Sequence, residues 1–284
     1  MKQKNENSAR SAAHHARSWL LNGLLAVIAV GMVFPMLWML LLSLKSFPEK
    51  YSGIIELISS PFTIANYSES LSTDAFGVYF INSVWVAALV TAGNVFFCLL
   101  TAYALARREF RGKKLLLGTI LGVLIVPPHV VMIPLYRLMV SFDWINSFFS
   151  LVVPWLVTPF AIFVIRQYLL NLPKDIEDSA RIDGASEWQI IFRIVFPLAR
   201  PILTVVAIYT FLNSWNSFLF PFLFTNQESV RTLPVGLAFY MGKQSIDWGH
   251  LMAGAGISAI PVLVIFMIFQ KNIIKGLTAG ALKE

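Results

Sequence analysis

The chain has 284 residues, of which 57% are hydrophobic and only 13% charged, and its mean hydropathy is +0.70. A soluble domain of this length cannot bury so much apolar surface, so soluble enzymes and soluble binding modules are excluded. The net charge of +7 is not accompanied by an aromatic-basic module, so it indicates membrane topology and lipid headgroups, and we expect no nucleic-acid partner.

Six apolar segments are each long enough to cross a hydrocarbon core of roughly 30 Å as a helix. They cover residues 19–44, 78–106, 115–139, 148–170, 202–224 and 250–270. The first is longer than the core of a secretory signal and lacks a convincing cleavage site, so we expect it to be retained. The sequence predicts an all-α membrane protein with six transmembrane helices, in which residues 19–284 form one transmembrane domain after a basic tail at residues 1–18.

The positions of lysine and arginine predict the orientation of the spans, because cytoplasmic loops carry an excess of both. If the chain starts inside, seventeen of its 22 lysines and arginines are cytoplasmic and five are exterior. The seventeen are Lys2, Lys4, Arg10, Arg17, Arg107, Arg108, Arg111, Lys113, Lys114, Arg166, Lys174, Arg181, Arg193, Arg200, Lys271, Lys275 and Lys283. The five are Lys45, Lys50, Arg137, Arg231 and Lys243. We expect both termini in the cytoplasm and the protein in the inner, cytoplasmic membrane.

Two exterior segments are long, residues 45–77 and 225–249. They either contact an external partner or pack over the helix ends, and both alternatives stay open. The single cysteine, Cys98, lies within an apolar run, and His129 and His250 are far apart in sequence. We therefore predict no metal site.

Residues 171–200, between the fourth and fifth spans, carry nine charged residues. Each charge would cost about 2.5 to 3.5 kcal/mol inside a membrane, so this loop must lie in water or against protein. Pro173 favours a helix that begins near Asn171. Asp183 and Gly184 end that helix, because glycine adopts a positive φ at little cost.

A second short helix is predicted after this turn, over residues 186–194. Ser186 and Gln189 form a capping-box pattern at its start, and Pro197 and Pro201 are expected to end it and begin the fifth span. Its apolar stripe comprises Trp188, Ile191, Phe192 and Val195. The pair of helices either lies flat on the lipid headgroups or forms a rigid projection that docks in a groove of a cytoplasmic partner.

The same loop resembles the EAA loop of ABC-importer permeases, whose pattern is E-A-A, three residues and G, followed later by I-x-x-P-L-x-x-P. The resemblance starts at Glu177, runs through Gly184 and continues to Pro197. The chain departs from the pattern in having Asp178 and Ser179 where the motif name has two alanines.

Further features resemble the carbohydrate branch of these permeases, the maltose-type subunits. They are Phe62-Thr63, Asn66-Tyr67, Asn82-Ser83, Phe211, Trp215-Asn216, Phe218-Leu219, Leu233-Pro234 and residues 276–280. The resemblance implies the type I (MetI-like) importer fold and half of a translocation pathway for a sugar or oligosaccharide. It also implies four kinds of contact: a second homologous permease subunit, an ATP-binding cassette ATPase dimer, an extracytoplasmic solute-binding protein, and membrane lipid.

The chain carries no phosphate-binding loop of its own. Gly112-Lys113 and Gly242-Lys243 lack a glycine-rich context, and no Ser or Thr follows either lysine. We therefore predict that the chain is not an enzyme and binds no cofactor, with ATP and Mg²⁺ held by the partner ATPase. The residues expected to couple to that ATPase are Glu177, Ala180, Asp183, Gly184, Ala185, Trp188, Ile191, Phe192 and Pro197.

Polar residues within the spans are candidates for the translocation path, because amides suit hydroxyl-rich solutes and an indole face stacks on sugar rings. These candidates are Asn82, Asn94, Asn213, Trp215 and Asn216. Bonding between helices is the alternative role for each amide. His129, beside two prolines, indicates a kink with a satisfied imidazole more than a proton relay.

The sequence argues against two other functions. An ion-coupled carrier would show carboxylates within its spans, and the predicted spans contain no Asp or Glu. An intramembrane hydrolase would need paired aspartates or H-E-x-x-H, and neither is present. Within the importer interpretation, glycerol phosphate or another polar solute stays an alternative to a sugar.

Overall fold

A computed structural model of the chain describes residues 2–46, 53–72, 75–241 and 246–279. Within these residues the fold is helical and contains no β-strand, only one isolated bridge between Lys45 and Phe62. The α-helices are α1 (Lys2–Ser43), α2 (Ile54–Ser59), α3 (Ala65–Ser72), α4 (Phe76–Arg107), α5 (Lys113–Ile125), α6 (Met132–Ser141), α7 (Phe148–Val152), α8 (Pro159–Leu170), α9 (Asp175–Ile182), α10 (Glu187–Gln189), α11 (Phe196–Trp215), α12 (Leu219–Phe224), α13 (Leu233–Met241) and α14 (Trp248–Ala279). Short 3₁₀ turns cover Pro128–Val131, Val153–Trp155 and Glu228–Val230, and a π-helical segment covers Ile190–Val195. Lys50, Gly242, Lys243, Gly280 and Lys283, named in the sequence analysis, lie outside the described residues.

Five helical segments among the described residues are long and apolar enough to cross a membrane. They are Ser18–Ser43, Phe76–Arg107, Phe148–Leu170, Glu187–Trp215 and Trp248–Gln270. A sixth candidate is the bent pair Lys113–Ile125 and Pro128–Ser141. The predicted all-helical membrane fold is confirmed, with five spans, or six if the bent pair crosses as one.

The third predicted span, residues 115–139, is broken near its middle. α5 and the helical segment after it are bent by 99° at the break between Ile125 and Pro128. Pro127 and Pro128 cause the break, because neither has an amide hydrogen and each disfavours helical geometry in the residue before it. The kink predicted at His129 is confirmed, in a stronger form.

The fifth predicted span, residues 202–224, needs correction at both ends. α11 ends at Trp215, and Leu219 begins the separate helix α12. At the other end, the helical path starts at Glu187 and runs through the π-helical segment into α11. The observed span, Glu187–Trp215, therefore begins and ends earlier in the chain than the predicted span.

The chain forms two compact units, Met1–Ser70 with Ser245–Ile257 and Leu71–Gln244 with Ser258–Glu284. In the second unit, α4, α8 and α11 pack around an apolar cluster. Its buried members are Cys98, Leu99, Ala102, Tyr103, Leu105, Ala161, Ile162, Ile165, Leu169, Ile190, Ile191, Val195, Ala199, Leu203 and Val206. The cluster joins α4 and α8 to the Glu187–Trp215 path, so it packs directly against the charged loop.

In the first unit, the segment after α1 folds back on the end of that helix. The Lys45 side chain is fully buried; its amine donates to the carbonyl of Ile58 at 3.1 Å and lies 3.7 Å from the ring centroid of Phe62. Asn66 donates to the carbonyl oxygens of Ser43 and Lys45 at 2.8 and 2.9 Å. The described part of residues 45–66 therefore packs over the end of α1, which is one of the two alternatives.

Candidate functional site

The charged loop folds into two short helical arms, which we call the elbow and define as residues 175–195. The first arm, α9, was predicted to begin near Asn171 but begins at Asp175. Asn171 instead closes α8, since its amide donates to the carbonyl of Tyr168 at 3.1 Å. Three acidic residues lie in the first turn of α9, where the helix dipole favours negative charge: Asp175, Glu177 and Asp178.

The turn between the two arms is a Schellman motif followed by a capping box. The amide of Ala185 donates to the carbonyl of Ala180 at 2.9 Å, and that of Gly184 donates to Arg181 at 3.1 Å. Gly184 has a φ of +84°, the left-handed conformation that glycine adopts without strain. Ser186 and Gln189 then form the predicted capping box, which is confirmed. The turn is therefore closed by hydrogen bonds on both sides.

The second arm continues into the membrane, whereas Pro197 and Pro201 were predicted to end it. The segment Ile190–Val195 is π-helical, and the amide of Phe196 donates to the carbonyl of Ile191. In a regular α-helix the ring of Pro197 would clash with the carbonyl four residues earlier, and the wider π turn relieves that clash. The elbow and the α11 span are consequently one continuous helical path.

A buried ion pair fastens the first arm to the end of α4. Arg107 Nε lies 2.7 Å from Glu177 Oε1, and the two side chains are only 5% and 3% exposed. The same guanidinium donates to the carbonyl of Leu172 at 3.1 Å. Removing one member of such a pair would leave an uncompensated buried charge, so this contact holds α9 in place.

A second network reaches both arms from the same end of α4. Arg181 Nε donates to Glu187 Oε1 at 3.1 Å, Arg181 Nη2 donates to the Tyr103 hydroxyl at 3.0 Å, and that hydroxyl donates to Glu187 Oε2 at 3.1 Å. Arg108 also pairs with Glu187. Hydrogen bonds to Glu187 raise the pKa of both the Arg108 and the Arg181 guanidinium.

No local sequence pattern predicts this network. From the sequence alone, Arg107 and Arg108 indicate only membrane topology. Tyr103 and Glu187 are 84 residues apart, and Arg107 and Glu177 are 70 apart, so no local spacing connects them. The basic pair at the end of a predicted span, opposite an acidic loop, was the one available signal.

Two large apolar side chains of the elbow are more than half exposed. Ile182 is 87% exposed and Trp188 is 59% exposed. The Trp188 ring stacks on Phe192 with centroids 5.8 Å apart and an interplanar angle of 4°. Ile191, from the same predicted stripe, is only 8% exposed and belongs to the core. Ile182 and Trp188 are therefore the most exposed large apolar side chains of the elbow.

A cavity of about 310 Å³ opens beside the turn. It is lined by Asp183, Gly184, Ala185, Gln189, Arg193 and Ile194. Three of the residues expected to couple to an ATPase, Asp183, Gly184 and Ala185, thus share one concave surface.

The register of the EAA resemblance also changes. Three residues separate Ala180 from Gly184, so the pattern aligns with Asp178, Ser179 and Ala180, one position later than first assigned. Glu177 is buried against Arg107, whereas the Asp178 side chain is 53% exposed and pairs with Arg181 at 2.6 Å. The acidic position of the motif is therefore the exposed Asp178.

Two of the translocation-path candidates bond helix to loop. Asn82 donates to the carbonyl oxygens of Ser229 and Arg231, both at 2.9 Å. Asn94 is fully buried, donates to the Trp155 carbonyl at 3.0 Å and to Thr158 Oγ1 at 3.1 Å. Asn94 also accepts a hydrogen bond from Thr210 of α11 at 3.3 Å, so it fits the alternative role of bonding between helices, whereas Asn82 does not. The place of both residues in the path stays a prediction.

The other candidates gather at the break between α11 and α12. Asn213 and Asn216 are exposed, whereas Trp215 is buried and donates from its indole to the Ser258 carbonyl at 3.0 Å. A cavity of about 410 Å³ lies here, lined by His129, Leu212, Asn213, Asn216, Ser217, Phe218, Leu219 and Phe220. The exposed His129, which sequence reasoning assigned only to a kink, thus lies with the two exposed amides.

Comparisons with known proteins agree with this architecture. The family model described as binding-protein-dependent transport system inner membrane component matches residues 94–279. The arabinooligosaccharides transport system permease protein AraQ of Halalkalibacterium halodurans is 36% identical over 94% of this chain and 96% of its own length. The trehalose/maltose transport system permease protein MalG of Thermococcus litoralis is 36% identical over 90% and 94%.

One solved structure shows the same fold. It is the crystal structure of a bacterial ABC transporter involved in the import of the acidic polysaccharide alginate, with a TM-score of 0.78 at 21% identity, covering 87% of this chain and 93% of that one. The matched family and relatives are transport permeases, not enzymes. The chain therefore belongs to the binding-protein-dependent transport system inner membrane components, as a multi-pass permease of the carbohydrate ABC-importer family.

Proposed function

We propose that the chain forms half of the translocation pathway for a sugar or oligosaccharide and couples it to a separate ATPase through the elbow. The observation that carries the coupling role is the pair of exposed apolar side chains, Ile182 and Trp188, on a turn that hydrogen bonds and ion pairs hold rigid. An exposed apolar surface on a charged loop is typical of a docking site.

The elbow would transmit motion to the spans directly. The second arm is continuous with α11, and the first follows α8 after four residues. Closure of an ATPase dimer against the turn would rotate these helices as a rigid body. The translocation path would then open alternately to the two sides of the membrane. The chain itself would bind no cofactor, and ATP and Mg²⁺ would belong to the ATPase.

In the proposed assembly this chain contacts four kinds of partner. They are a second homologous permease subunit, an ATP-binding cassette ATPase dimer, an extracytoplasmic solute-binding protein and membrane lipid. The binding-protein-dependent family and the transport systems named for the relatives support these partners. Both termini would lie in the cytoplasm, in agreement with the seventeen-to-five distribution of lysine and arginine.

The cavity at the break between α11 and α12 is the part of the path that we assign to solute contact. None of its lining residues is lysine or arginine, and Asn213, Asn216 and Ser217 supply neutral hydrogen-bonding groups. Such a surface suits hydroxyl groups better than a phosphate, which favours a sugar over glycerol phosphate. Asn216→Leu should lower solute uptake in vesicles without loss of ATPase binding, while Thr119→Val, away from the cavity, should leave uptake unchanged.

Reconstitution separates this function from an ion-coupled carrier. Vesicles that contain this polypeptide alone should not accumulate solute, with or without an ion gradient. Vesicles that contain the whole transporter should accumulate a sugar only when ATP and the solute-binding protein are supplied. Accumulation by the isolated chain under a proton or sodium gradient would contradict the proposal.

A further inference from the structure

We propose that Tyr103, Arg181 and Glu187 form a clasp that makes α4 move with the elbow. This inference rests on the proposed coupling role of the elbow and adds a task for residues at positions where the EAA pattern specifies no amino acid. The three side chains close a triangle of hydrogen bonds with lengths of 3.0, 3.1 and 3.1 Å. One corner lies on each of α4, α9 and α10.

The connectivity of the chain explains why such a clasp is needed. The elbow is joined through the backbone to α8 on one side and to α11 on the other. α4 packs against both of these helices, but 78 residues separate Tyr103 from Arg181. Any movement of α4 with the elbow must therefore be transmitted through side-chain contacts.

The apolar cluster and the clasp contribute differently to that transmission. Apolar packing between α4 and the π-helical segment is not directional, so it keeps the two close without selecting one register. Charge-assisted hydrogen bonds have a preferred geometry, so the clasp favours the arrangement in which all three of its bonds form. The buried Arg107–Glu177 pair reaches α9 alone, whereas the clasp holds both arms.

The exposure of the Arg181 and Glu187 side chains indicates that the clasp positions the helices more than it stabilises the fold. The side chains of Arg181 and Glu187 are 28% and 42% exposed, and ion pairs of that exposure contribute little to stability. The clasp should therefore be removable without loss of the fold. What its removal should change is the efficiency with which movement of the elbow reaches α4.

The test uses the complete transporter in phospholipid vesicles and measures solute imported per ATP hydrolysed. Tyr103→Phe removes only the hydroxyl, and Glu187→Gln removes only the charge. Both variants should bind the ATPase normally and lose coupling several-fold. Because the groups act as one unit, the double variant should lose no more than the more affected single variant.

Glu109→Gln is the matched control. Glu109 lies between α4 and α5, close to the end of α4 that carries Tyr103, and it pairs with Lys113 at 2.7 Å, outside the elbow. Its import per ATP should equal that of the unaltered transporter. Unchanged coupling in Tyr103→Phe and Glu187→Gln would overturn the clasp. Loss of ATPase binding in both would also overturn it, because the network would then shape the docking surface. If the unaltered transporter did not require ATP, the proposed function itself would be wrong.

Discussion

Gly184 and Gly112 have nearly the same backbone conformation in different places. Their φ angles are +84° and +86°, and a Cβ atom at either position would meet nothing within 4 Å. A substitution at either therefore costs only backbone strain, about 1 to 2 kcal/mol for a residue other than glycine. The difference is location, because Gly184 forms the turn of the elbow and Gly112 begins α5.

We expect Gly184→Val to uncouple ATP hydrolysis from uptake while the protein remains in the membrane. Gly112→Val, with equal strain, should transport normally. The measurements are membrane content, ATPase rate and solute uptake by vesicles. Normal uptake in Gly184→Val would show that the geometry of the turn is not needed for coupling.

Asn94 shows how a buried amide holds helices together. Its side chain donates to the carbonyl of Trp155, which precedes α8, and to the hydroxyl of Thr158, the N-cap residue of α8. It also accepts a hydrogen bond from the Thr210 hydroxyl of α11 at 3.3 Å. Asn94→Ala should lower the free energy of unfolding by about 1 to 3 kcal/mol, because it leaves buried polar groups unpaired.

The matched control for that prediction is Asn213→Ala. Asn213 is exposed and donates only to the Tyr209 carbonyl of its own helix, so its removal should change unfolding little. Denaturant unfolding in detergent compares the two variants. Equal stability would mean that Asn94 does not join the three helices.

At the scale of elements, two breaks in helices lie beside one cavity. α5 and α6 are separated at Pro127 and Pro128, and α11 and α12 are separated at Asn216 to Phe218. His129, which follows the first break, lines the same cavity as Asn216, Ser217 and Phe218 of the second break. A broken helix frees backbone and side-chain polar groups, and a membrane protein accommodates these only against protein or a water-filled space.

The elbow yields a prediction at the same scale. Ile182→Ser removes the most exposed large apolar side chain of the elbow and should weaken binding of the ATPase without unfolding the protein. Ile55 is a matched control, since it is 81% exposed but lies in a segment expected on the exterior side. Co-purification of the ATPase with each variant is the measurement. Equal loss of ATPase from Ile55→Ser would contradict a docking surface at the elbow.

For the whole molecule, orientation is the property that most needs a direct test. Cys98 is fully buried, so Cys98→Ala provides a background for single introduced cysteines. In intact cells, an impermeant thiol reagent should label Ile55→Cys from outside and should not label Glu109→Cys. Both side chains are exposed, so access decides the result. The reverse pattern would place the elbow outside the cell and refute its contact with an ATPase.

Much of this protein follows from local sequence. A run of about 20 apolar residues has to be a helix in a bilayer, so the first, second, fourth and sixth spans were predicted nearly at their observed bounds. The turn at Gly184 and the capping box at Ser186 were also predictable, since each depends on residues a few positions apart.

Tertiary structure decided the rest. Burial of Ile191, exposure of Trp188 and the union of Tyr103, Arg181 and Glu187 depend on which helices pack together, and no short-range pattern records that. The π-helical segment kept Pro197 inside a continuous path because the core held Ile190 and Val195 in place. Local chemistry therefore determined where helices form and turn, whereas contacts between residues tens of positions apart determined which side chains act together.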